Sequence, residues 1–281
     1  MKKEVLLQVD GLCQKFGKTE VVKNVSFQVY KGEVFGLIGE SGCGKTTTGR
    51  CIMGLYSLTS GQIYFEGRSI GGRKRAEKDI QMIFQDPMAS LDPRMTVQQI
   101  VAEGLIINGI RDKKLIEQKV SQTLNMVGMP QGCGERYPHE FSGGQRQRIG
   151  IARAIIMEPK LLIADEPLSA LDVSVQAQII NLLNDLRKKL GLTILFVAHD
   201  LAVVKYFSDR IAVMRSGEIV ELATSEDLFA KPLHPYTQSL LSAIPIPDPR
   251  REKKRIRIPY EPTAEGEGQL RQISADHWVR S

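Results

Sequence analysis

A glycine-rich segment near the start of the chain has the residue types and spacing of a phosphate-binding loop. GESGCGKT, from Gly39 to Thr46, satisfies the pattern G-x-x-x-x-G-K-[ST] and lies between a short apolar run and a helix-like run. Its glycines allow successive backbone N–H groups to face a phosphate, and the following helix presents its positive end there. We therefore expect Lys45 to neutralise the β- and γ-phosphates of a nucleotide and the Thr46 hydroxyl to bind Mg²⁺.

The nucleotide contacts that we predict in this segment are Gly39, Glu40, Ser41, Gly42, Cys43, Gly44, Lys45, Thr46 and Thr47. Cys43 has a further expected property, because a thiol at a helix N-terminus in an electropositive loop has a lowered pKa. We expect alkylation of Cys43 to inactivate the protein and MgATP to protect it. The alternative is that Cys43 packs inward and is inert.

Two carboxylates end a hydrophobic run far downstream. LLIADEP is an apolar, strand-like segment that finishes at Asp165 and Glu166. Ligands of open α/β sheets bind beyond the carboxyl ends of the strands. We therefore expect Asp165 to hold Mg²⁺, directly or through water, and Glu166 to polarise the attacking water. The alternative is a strand that simply ends in a polar loop, and the phosphate loop elsewhere in the chain makes this the weaker interpretation.

Gln85 and His199 also follow apolar, strand-like runs, in MIFQDP and TILFVAHD. The Gln85 amide could ligate Mg²⁺ or the attacking water. His199 would lie at the same strand edge, although a histidine after a strand is often only a surface or capping residue. The interest of His199 therefore depends on the residues around it, and Thr46, Gln85 and Asp165 are the predicted metal ligands.

Composition limits the class of protein. The chain has 281 residues, of which 42% are hydrophobic and 25% charged, with a net charge of +6. These values suit one large globular domain or one domain with an appendage, and they permit contact with an anionic surface without requiring it. The four cysteines form no CxxC pair, no signal peptide is indicated, and no apolar run approaches the roughly 20 residues that span a bilayer. We expect a reduced, cytosolic setting.

The order of strand-like and helix-like runs predicts an α/β fold with a mostly parallel core sheet, an antiparallel β region and a helical insert. VVKNVSFQVY alternates as a strand, VFGLI is a buried strand, and residues from about 96 to 157 are mostly helical. The βαβ rhythm then resumes with LLIADEP and TILFVAHD. From Pro245 the composition turns to proline and basic residues, which indicates a peripheral extension.

The segment EFSGGQRQR, from Glu140 to Arg148, has small and polar residues where an enzyme interior would have hydrophobic ones. Together with the motifs above it resembles the ATP-binding cassette of ABC transporters, from Leu6 to about Leu222. The resemblance implies a P-loop NTPase fold that hydrolyses ATP with Mg²⁺. It also implies that the catalytic residues are Glu166, Gln85 and His199. It adds three assignments: Phe16 stacks on adenine, the segment SALD contributes Asp172, and the signature FSGGQ contacts the nucleotide of the opposite subunit through Ser142, Gly143, Gly144 and Gln145.

A narrower resemblance joins the chain to the ATPases of oligopeptide, dipeptide and nickel importers. It rests on QMIFQDPMASLDPRMTV and on the ending LFAKPLHPYTQSLLSAIPIPDP. It implies a nucleotide-binding domain at 1–230, with a helical subdomain at about 88–158, and an extension at 231–281. It also implies that Pro87 to Arg94 lie near the surface that receives a coupling helix of the permease. Some of these ATPases carry a cysteine cluster for an iron–sulfur centre, but no cysteine follows Cys133 here, so we expect none.

The favoured function is therefore ATP hydrolysis that energises uptake of oligopeptides or dipeptides through a separate permease. The expected partners are a second, homologous ATPase subunit, two permease subunits and, indirectly, a solute-binding protein, at the cytoplasmic face of the membrane and without nucleic acid. The alternatives are a nickel or metal-chelate importer, a soluble ABC ATPase, and a degenerate nucleotide-binding regulator. The basic run RREKKRIRI could contact anionic lipid or be a solvated linker.

Overall fold

The computed structural model describes residues 3–70, 78–244, 257–260 and 268–280. The chain divides into two compact units, one made of Met1–Lys74 and Phe196–Ser281 and the other of Arg75–Leu195. The basic run RREKKRIRI lies almost entirely outside the described residues. Within the described ranges, no helix is both long enough and apolar enough to cross a bilayer.

The first unit contains an antiparallel sheet with the strand order β2-β1-β4-β5. Its strands are β1 (Val5–Phe16), β2 (Thr19–Tyr30), β4 (Ser60–Phe65) and β5 (Arg68–Ser69). Alternate side chains of β2 are buried, including Val25, Phe27 and Val29, as the sequence predicts. In β1 the pairing register shifts between Val9 and Leu12, which interrupts the alternation of buried and exposed positions.

A second set of strands in the first unit has the order β11-β12-β10-β9-β3. The strands are β3 (Val34–Ile38), β9 (Arg210–Arg215), β10 (Glu218–Thr224), β11 (Leu270–Ser274) and β12 (His277–Arg280). Every residue of β3 is buried, and β3 pairs in parallel with β9. The β9–β10, β10–β12 and β11–β12 pairs are antiparallel. The described end of the chain therefore adds β11 and β12 to the edge of this set of strands. That the region after Pro245 is a peripheral extension stays a prediction.

Four α-helices lie in the described part of the first unit. They are α1 (Lys45–Ile52), α7 (Leu201–Phe207), α8 (Ser225–Ala230) and α9 (Pro235–Ser242). The start of each of the last three is capped by a side chain, from Asp200, Thr224 and His234 respectively. The N-cap of α1 is Gly44, which makes no side-chain hydrogen bond. The chain enters this unit from the second one within strand β8 (Thr193–Ala198).

The second unit combines a parallel strand pair with helices. Its strands are β6 (Ile80–Ile83) and β7 (Leu161–Asp165), which pair in parallel. Its α-helices are α2 (Pro87–Ser90), α3 (Val97–Ile107), α4 (Lys113–Met126), α5 (Gly143–Ile155) and α6 (Val173–Leu190). Short 3₁₀ turns at Cys133–Glu135 and Pro138–Glu140 precede α5. Parallel strands, an antiparallel sheet and a mainly helical stretch between β6 and β7 confirm the predicted fold class. The predicted domain boundaries stay a prediction.

Candidate functional site

The phosphate loop connects the buried strand β3 to helix α1, as its sequence pattern predicts. Gly39 has φ of 150°, and a Cβ atom there would lie 2.1 Å from the carbonyl oxygen of Met214 in β9. Gly44 has φ of 106°, and a Cβ atom would lie 2.8 Å from the carbonyl oxygen of Val21. A side chain at either position would displace backbone. The loop is therefore held in contact with neighbouring strands, and its path depends on these glycines.

Lys45 lies with its ammonium group folded onto the loop. The Nζ atom donates hydrogen bonds to the carbonyl oxygens of Gly39 and Glu40, both at 2.8 Å. Only 4% of the residue is exposed. The loop thus holds a buried cation on its own carbonyl dipoles, which supply much of the stabilisation that a buried charge requires.

Cys43 does not have the environment that we expected. Its side chain is buried, and its Sγ atom lies 3.7 Å from Lys45 Nζ. Burial raises the pKa of the thiol, and the nearby Lys45 charge opposes this shift without reversing it. The expectation of a lowered pKa is wrong because it considered the helix end and the cation but not the loss of water. The inward-packing alternative describes the structure.

Phe16, the predicted adenine-stacking residue, ends strand β1 with 44% of its surface exposed. Its ring makes an edge contact with Tyr56, with 5.1 Å between the ring centroids. The Tyr56 hydroxyl accepts a hydrogen bond from Arg50 Nη1 at 3.1 Å, and Arg50 belongs to α1. The aromatic ring is therefore supported by the helix that follows the phosphate loop and still presents an open face.

The second unit brings two of the predicted catalytic residues into direct contact. Gln85 Nε2 donates a hydrogen bond to Glu166 Oε2 at 2.9 Å. Gln85 follows β6 and Glu166 follows β7, so the parallel pairing of these strands places both side chains at one sheet edge. Asp165, the last residue of β7, is completely buried. The arrangement fixes the Glu166 carboxylate by an amide donor from the adjacent strand.

The backbone of Glu166 is in the left-handed region, with φ of 43°. This conformation costs a residue with a side chain about 1 kcal/mol, and such strain concentrates at functional sites. The turn that maintains it includes Ser169, whose backbone N and Oγ both donate to the Glu166 carbonyl, at 3.2 and 3.1 Å. Ser169 belongs to the SALD segment, and its support of Glu166 was not predicted from the sequence.

The signature segment begins helix α5 with a capping box. Ser142 is the N-cap; its hydroxyl accepts from the Gln145 backbone N at 3.4 Å, and Gln145 Oε1 accepts from the Ser142 backbone N at 3.0 Å. A Cβ atom on Gly144 would lie 2.6 Å from Val175 Cγ1. The small residue at this position is thus required by packing against α6 in the same unit. Gly143 has no such close neighbour, since its nearest atom would lie 3.7 Å away.

The arginines of the signature helix donate hydrogen bonds to backbone carbonyl groups outside that helix, a role that was not predicted from the sequence. Arg146 Nε donates to the Pro138 carbonyl at 2.8 Å, and Arg148 Nη1 donates to the Val127 carbonyl at 2.6 Å. Arg153 Nη1 donates to the Ser90 carbonyl of α2, and burial lowers the pKa of this guanidinium. Arg146 also contacts α2, through Met88. The spacing of Arg146 and Arg153, two turns apart on one helix face, was the available signal.

The two remaining predicted residues lie at helix starts. Asp172 is exposed and occupies the N-cap position of α6, without a hydrogen bond from its side chain to the first turn. His199 is exposed and follows β8, immediately before Asp200, which caps α7. The described residues contain no group of three or more His, Cys, Asp or Glu side chains arranged to hold a metal.

Comparison with known proteins gives the family. Residues 22–169 match the family described as ABC transporter, and residues 220–269 match the oligopeptide/dipeptide transporter C-terminal region. The oligopeptide transport ATP-binding protein OppF of Bacillus subtilis is 53% identical over 98% of this chain and 96% of its own length. The chain belongs to the ABC transporter family. It is an ATPase of that family.

Other ABC transporter proteins give the same result. The dipeptide transport ATP-binding protein DppF of Lactococcus lactis is 53% identical over 95% of this chain and 89% of its own length. The structure of CbiO1 from Clostridium perfringens, part of the ABC transporter complex CbiONQ, matches with a TM-score of 0.74 at 30% identity, over 82% of this chain and 92% of that chain. An ABC cassette in a dimeric post-hydrolysis state with ADP and phosphate matches with a TM-score of 0.70 at 28% identity, over 78% of this chain and 99% of that chain.

Proposed function

We propose that the chain is the ATP-hydrolysing subunit of an importer that takes up oligopeptides or dipeptides through a separate membrane permease. The observation that carries the substrate class is the match of residues 220–269 to the C-terminal region of oligopeptide and dipeptide transporters. Relatives with 53% identity over nearly the whole chain are named as oligopeptide or dipeptide transport ATP-binding proteins, which supports the same class. No observation on this chain favours nickel or a metal chelate over peptides.

ATP binding is assigned to the phosphate loop and to Phe16. The ammonium of Lys45 now lies on the loop carbonyls of Gly39 and Glu40, and nucleotide phosphates would offer it full negative charges in place of these dipoles. The backbone N–H groups from Gly42 to Thr47 would bind phosphate oxygens at the start of α1. The open face of Phe16 would stack on adenine.

The proposed Mg²⁺ ligands fit the chemistry of that ion. Thr46, Gln85 and Asp165 offer a hydroxyl, an amide oxygen and a carboxylate, all hard oxygen donors. A site with one carboxylate is typical of Mg²⁺ bound with nucleotide phosphates, so a cluster of several acidic side chains is not required. When bound, Mg²⁺ neutralises charge on the phosphates during phosphoryl transfer.

Hydrolysis is assigned to Glu166, supported by Gln85 and His199. Glu166 would accept a hydrogen bond from the attacking water and take up its proton as the water oxygen bonds to the γ-phosphorus and the bond between that phosphorus and the bridging oxygen of the β-phosphate breaks, which releases ADP. The hydrogen bond from Gln85 Nε2 orients the Glu166 carboxylate, and the strained turn at residue 166 fixes the direction of the side chain. His199 would donate a hydrogen bond to the γ-phosphate. These residues act in one catalytic cycle.

Assembly completes the proposed mechanism. The nucleotide held by a second, homologous ATPase subunit would be contacted by Ser142, Gly143, Gly144 and Gln145. Asp172 would lie at the same interface between the two ATPase subunits. ATP hydrolysis by the two ATPases would drive transport through two permease subunits. An extracytoplasmic solute-binding protein would deliver the peptide. The chain would then work as a peripheral protein at the cytoplasmic face of the membrane, with ATP and Mg²⁺ and without an iron–sulfur cluster.

Reconstitution tests the proposed function. The chain, its partner ATPase and the two permease subunits are incorporated into lipid vesicles, and uptake of labelled di- and oligopeptides is measured in the presence of the solute-binding protein. We expect peptide uptake that requires MgATP and stops with MgADP. A parallel assay with labelled nickel tests the alternative substrate class. Nickel uptake without peptide uptake would contradict the proposal.

A further inference from the structure

The segment after β10 is anchored by a completely buried carboxylate. Glu221, in β10, accepts hydrogen bonds from the backbone N of Leu233 at 2.8 Å and of His234 at 3.0 Å. Its Oε1 atom also lies 2.7 Å from His277 Nε2 in β12. Strand β10, the start of α9 and strand β12 therefore meet at one side chain. The position at which α9 begins is set by these bonds, since His234 is the N-cap of that helix.

Helix α9 brings a tyrosine hydroxyl to the phosphate loop. Tyr236 lies in the first turn of α9 and is 2% exposed. Its hydroxyl accepts a hydrogen bond from the backbone N of Glu40 at 3.3 Å, although the two residues are 196 positions apart. Burial is the largest cause that raises the pKa of Tyr236, to about 12, so the hydroxyl is protonated at neutral pH. A neutral phenol is thus a fixed polar contact for the loop.

The hydrogen bond between Tyr236 and Glu40 lies in the part of the phosphate loop that binds the Lys45 ammonium. The backbone N–H of Glu40 is bound by Tyr236, and the Glu40 carbonyl is bound by Lys45 Nζ. The N–H and C=O groups of one residue are therefore fixed by two different side chains. Loss of the Tyr236 hydroxyl would leave the Glu40 N–H without this acceptor and allow the Glu40 backbone to rotate. The rotation would move the Glu40 carbonyl, which binds the Lys45 ammonium.

The ring of Tyr236 is itself held in place by packing. Tyr260 makes an edge contact with it at 5.5 Å between ring centroids, and the Arg215 guanidinium lies 5.5 Å from its centroid. Arg215 also lies 4.2 Å from the Tyr260 ring and donates to the Tyr260 hydroxyl. Arg215 follows Met214, whose carbonyl packs against Gly39. The same strand end thus supports both the tyrosine and the loop.

We infer that Tyr236 is a positioning residue for the phosphate loop, through which the region after β10 sets the nucleotide affinity of the ATPase. It touches neither the reacting atoms nor the nucleotide, and it acts through the Glu40 backbone. The inference rests on the nucleotide-binding role proposed for residues 39–46. The C-terminal region would then affect nucleotide binding within this subunit, in addition to any contact that it makes with other subunits.

The test is Tyr236→Phe in the full-length chain. This variant keeps the ring and removes only the hydroxyl, and a single neutral hydrogen bond of this length corresponds to roughly a 2- to 5-fold change in an equilibrium constant. We expect the Kd values for MgATP and MgADP to rise by that factor. We also expect faster amide hydrogen exchange in the peptide that contains Glu40, because its N–H loses its acceptor.

Tyr260→Phe is the matched control, since it removes a hydroxyl from the same cluster that does not touch the loop. It should leave nucleotide affinity and exchange at Glu40 unchanged. Unchanged affinity in Tyr236→Phe, or equal changes in both variants, would overturn the inference. Lys45→Ala separates this result from the proposed nucleotide site: if it binds MgATP as tightly as the wild type, then the site itself is misassigned.

Discussion

Replacement of Glu166 by glutamine separates the catalytic role of this residue from its structural one. The amide is close in size to the carboxylate and can still accept the hydrogen bond that Gln85 Nε2 makes at 2.9 Å. A hydrogen bond to a charged group contributes roughly 1.5–3 kcal/mol and a neutral one roughly 0.5–1.5 kcal/mol, so the contact weakens by about 1 kcal/mol. The exposure of Gln85 makes the loss smaller still. The fold and the turn at residue 166 should therefore persist.

The catalytic effect of the same change is larger. A general base contributes roughly 10²- to 10⁴-fold to the rate, which corresponds to about 3–5.5 kcal/mol in the barrier. An amide at position 166 can hold the attacking water but cannot take its proton. We therefore expect ATP hydrolysis to fall at least ~100-fold, whereas MgATP affinity changes less than ~3-fold, because the phosphate loop is untouched.

The assay measures phosphate release by the complex with the partner ATPase and the permease subunits, together with nucleotide binding and the association of the two ATPases. Retained ATP should keep the two subunits associated, whereas MgADP should not. Glu117→Gln is a suitable control because it removes one negative charge from an exposed position on α4 in the same unit. Hydrolysis by Glu166→Gln within ~3-fold of the wild-type rate would refute the assignment, and another group would have to activate the water.

Two further predictions concern Cys43 and Ser142. Because burial raises the pKa of the Cys43 thiol, iodoacetamide should modify Cys43 more slowly than the half-buried Cys13 at neutral pH, and its rate should rise with pH as more thiolate forms. Peptide mass spectrometry measures both rates, and faster labelling of Cys43 at neutral pH would contradict the burial argument. Ser142→Arg should abolish the MgATP-dependent association seen with Glu166→Gln, whereas Ser142→Asn, which keeps an N-cap acceptor, should retain it. Sedimentation velocity distinguishes these outcomes, and association of the arginine variant would show that the signature does not face the second nucleotide.

Local sequence patterns were sufficient to predict a strand or helix where burial alone determines the element. VFGLI matches strand β3 residue for residue, because a fully buried strand needs an unbroken apolar run. Helix α6 ends at Leu190, and Gly191 follows in the left-handed conformation that glycine commonly adopts at the end of a helix. The contact between Gln85 and Glu166 was also foreseeable in outline, since both residues follow apolar strands that share an edge of the sheet.

The features that sequence reasoning missed depend on contacts that no local pattern encodes. Strand β1 was not recognised because its register shift breaks the alternation on which recognition depends. Strand β12 at the end of the chain pairs with β10, whose residues lie more than 50 positions away, as in the pair Glu221 and Val279, and β11 pairs with β12. The bond between Tyr236 and Glu40 is of the same kind. A tyrosine after His-Pro carries no sign that its hydroxyl meets a phosphate loop.

Two arginines of the signature helix connect α5 to α2, a connection that the sequence motifs do not predict. Arg146 and Arg153 lie two turns apart on α5, and both contact α2, through Met88 and the Ser90 carbonyl. Asp86 caps α2 and directly follows Gln85, the residue that holds Glu166. We therefore expect a displacement of α2 to affect both the helix that carries the signature and the carboxylate assigned to catalysis. Pro87 to Arg94 are the segment predicted to lie near the permease. We therefore propose that movement at the permease surface would change both the predicted contact of the signature with the second nucleotide and the orientation of the proposed base.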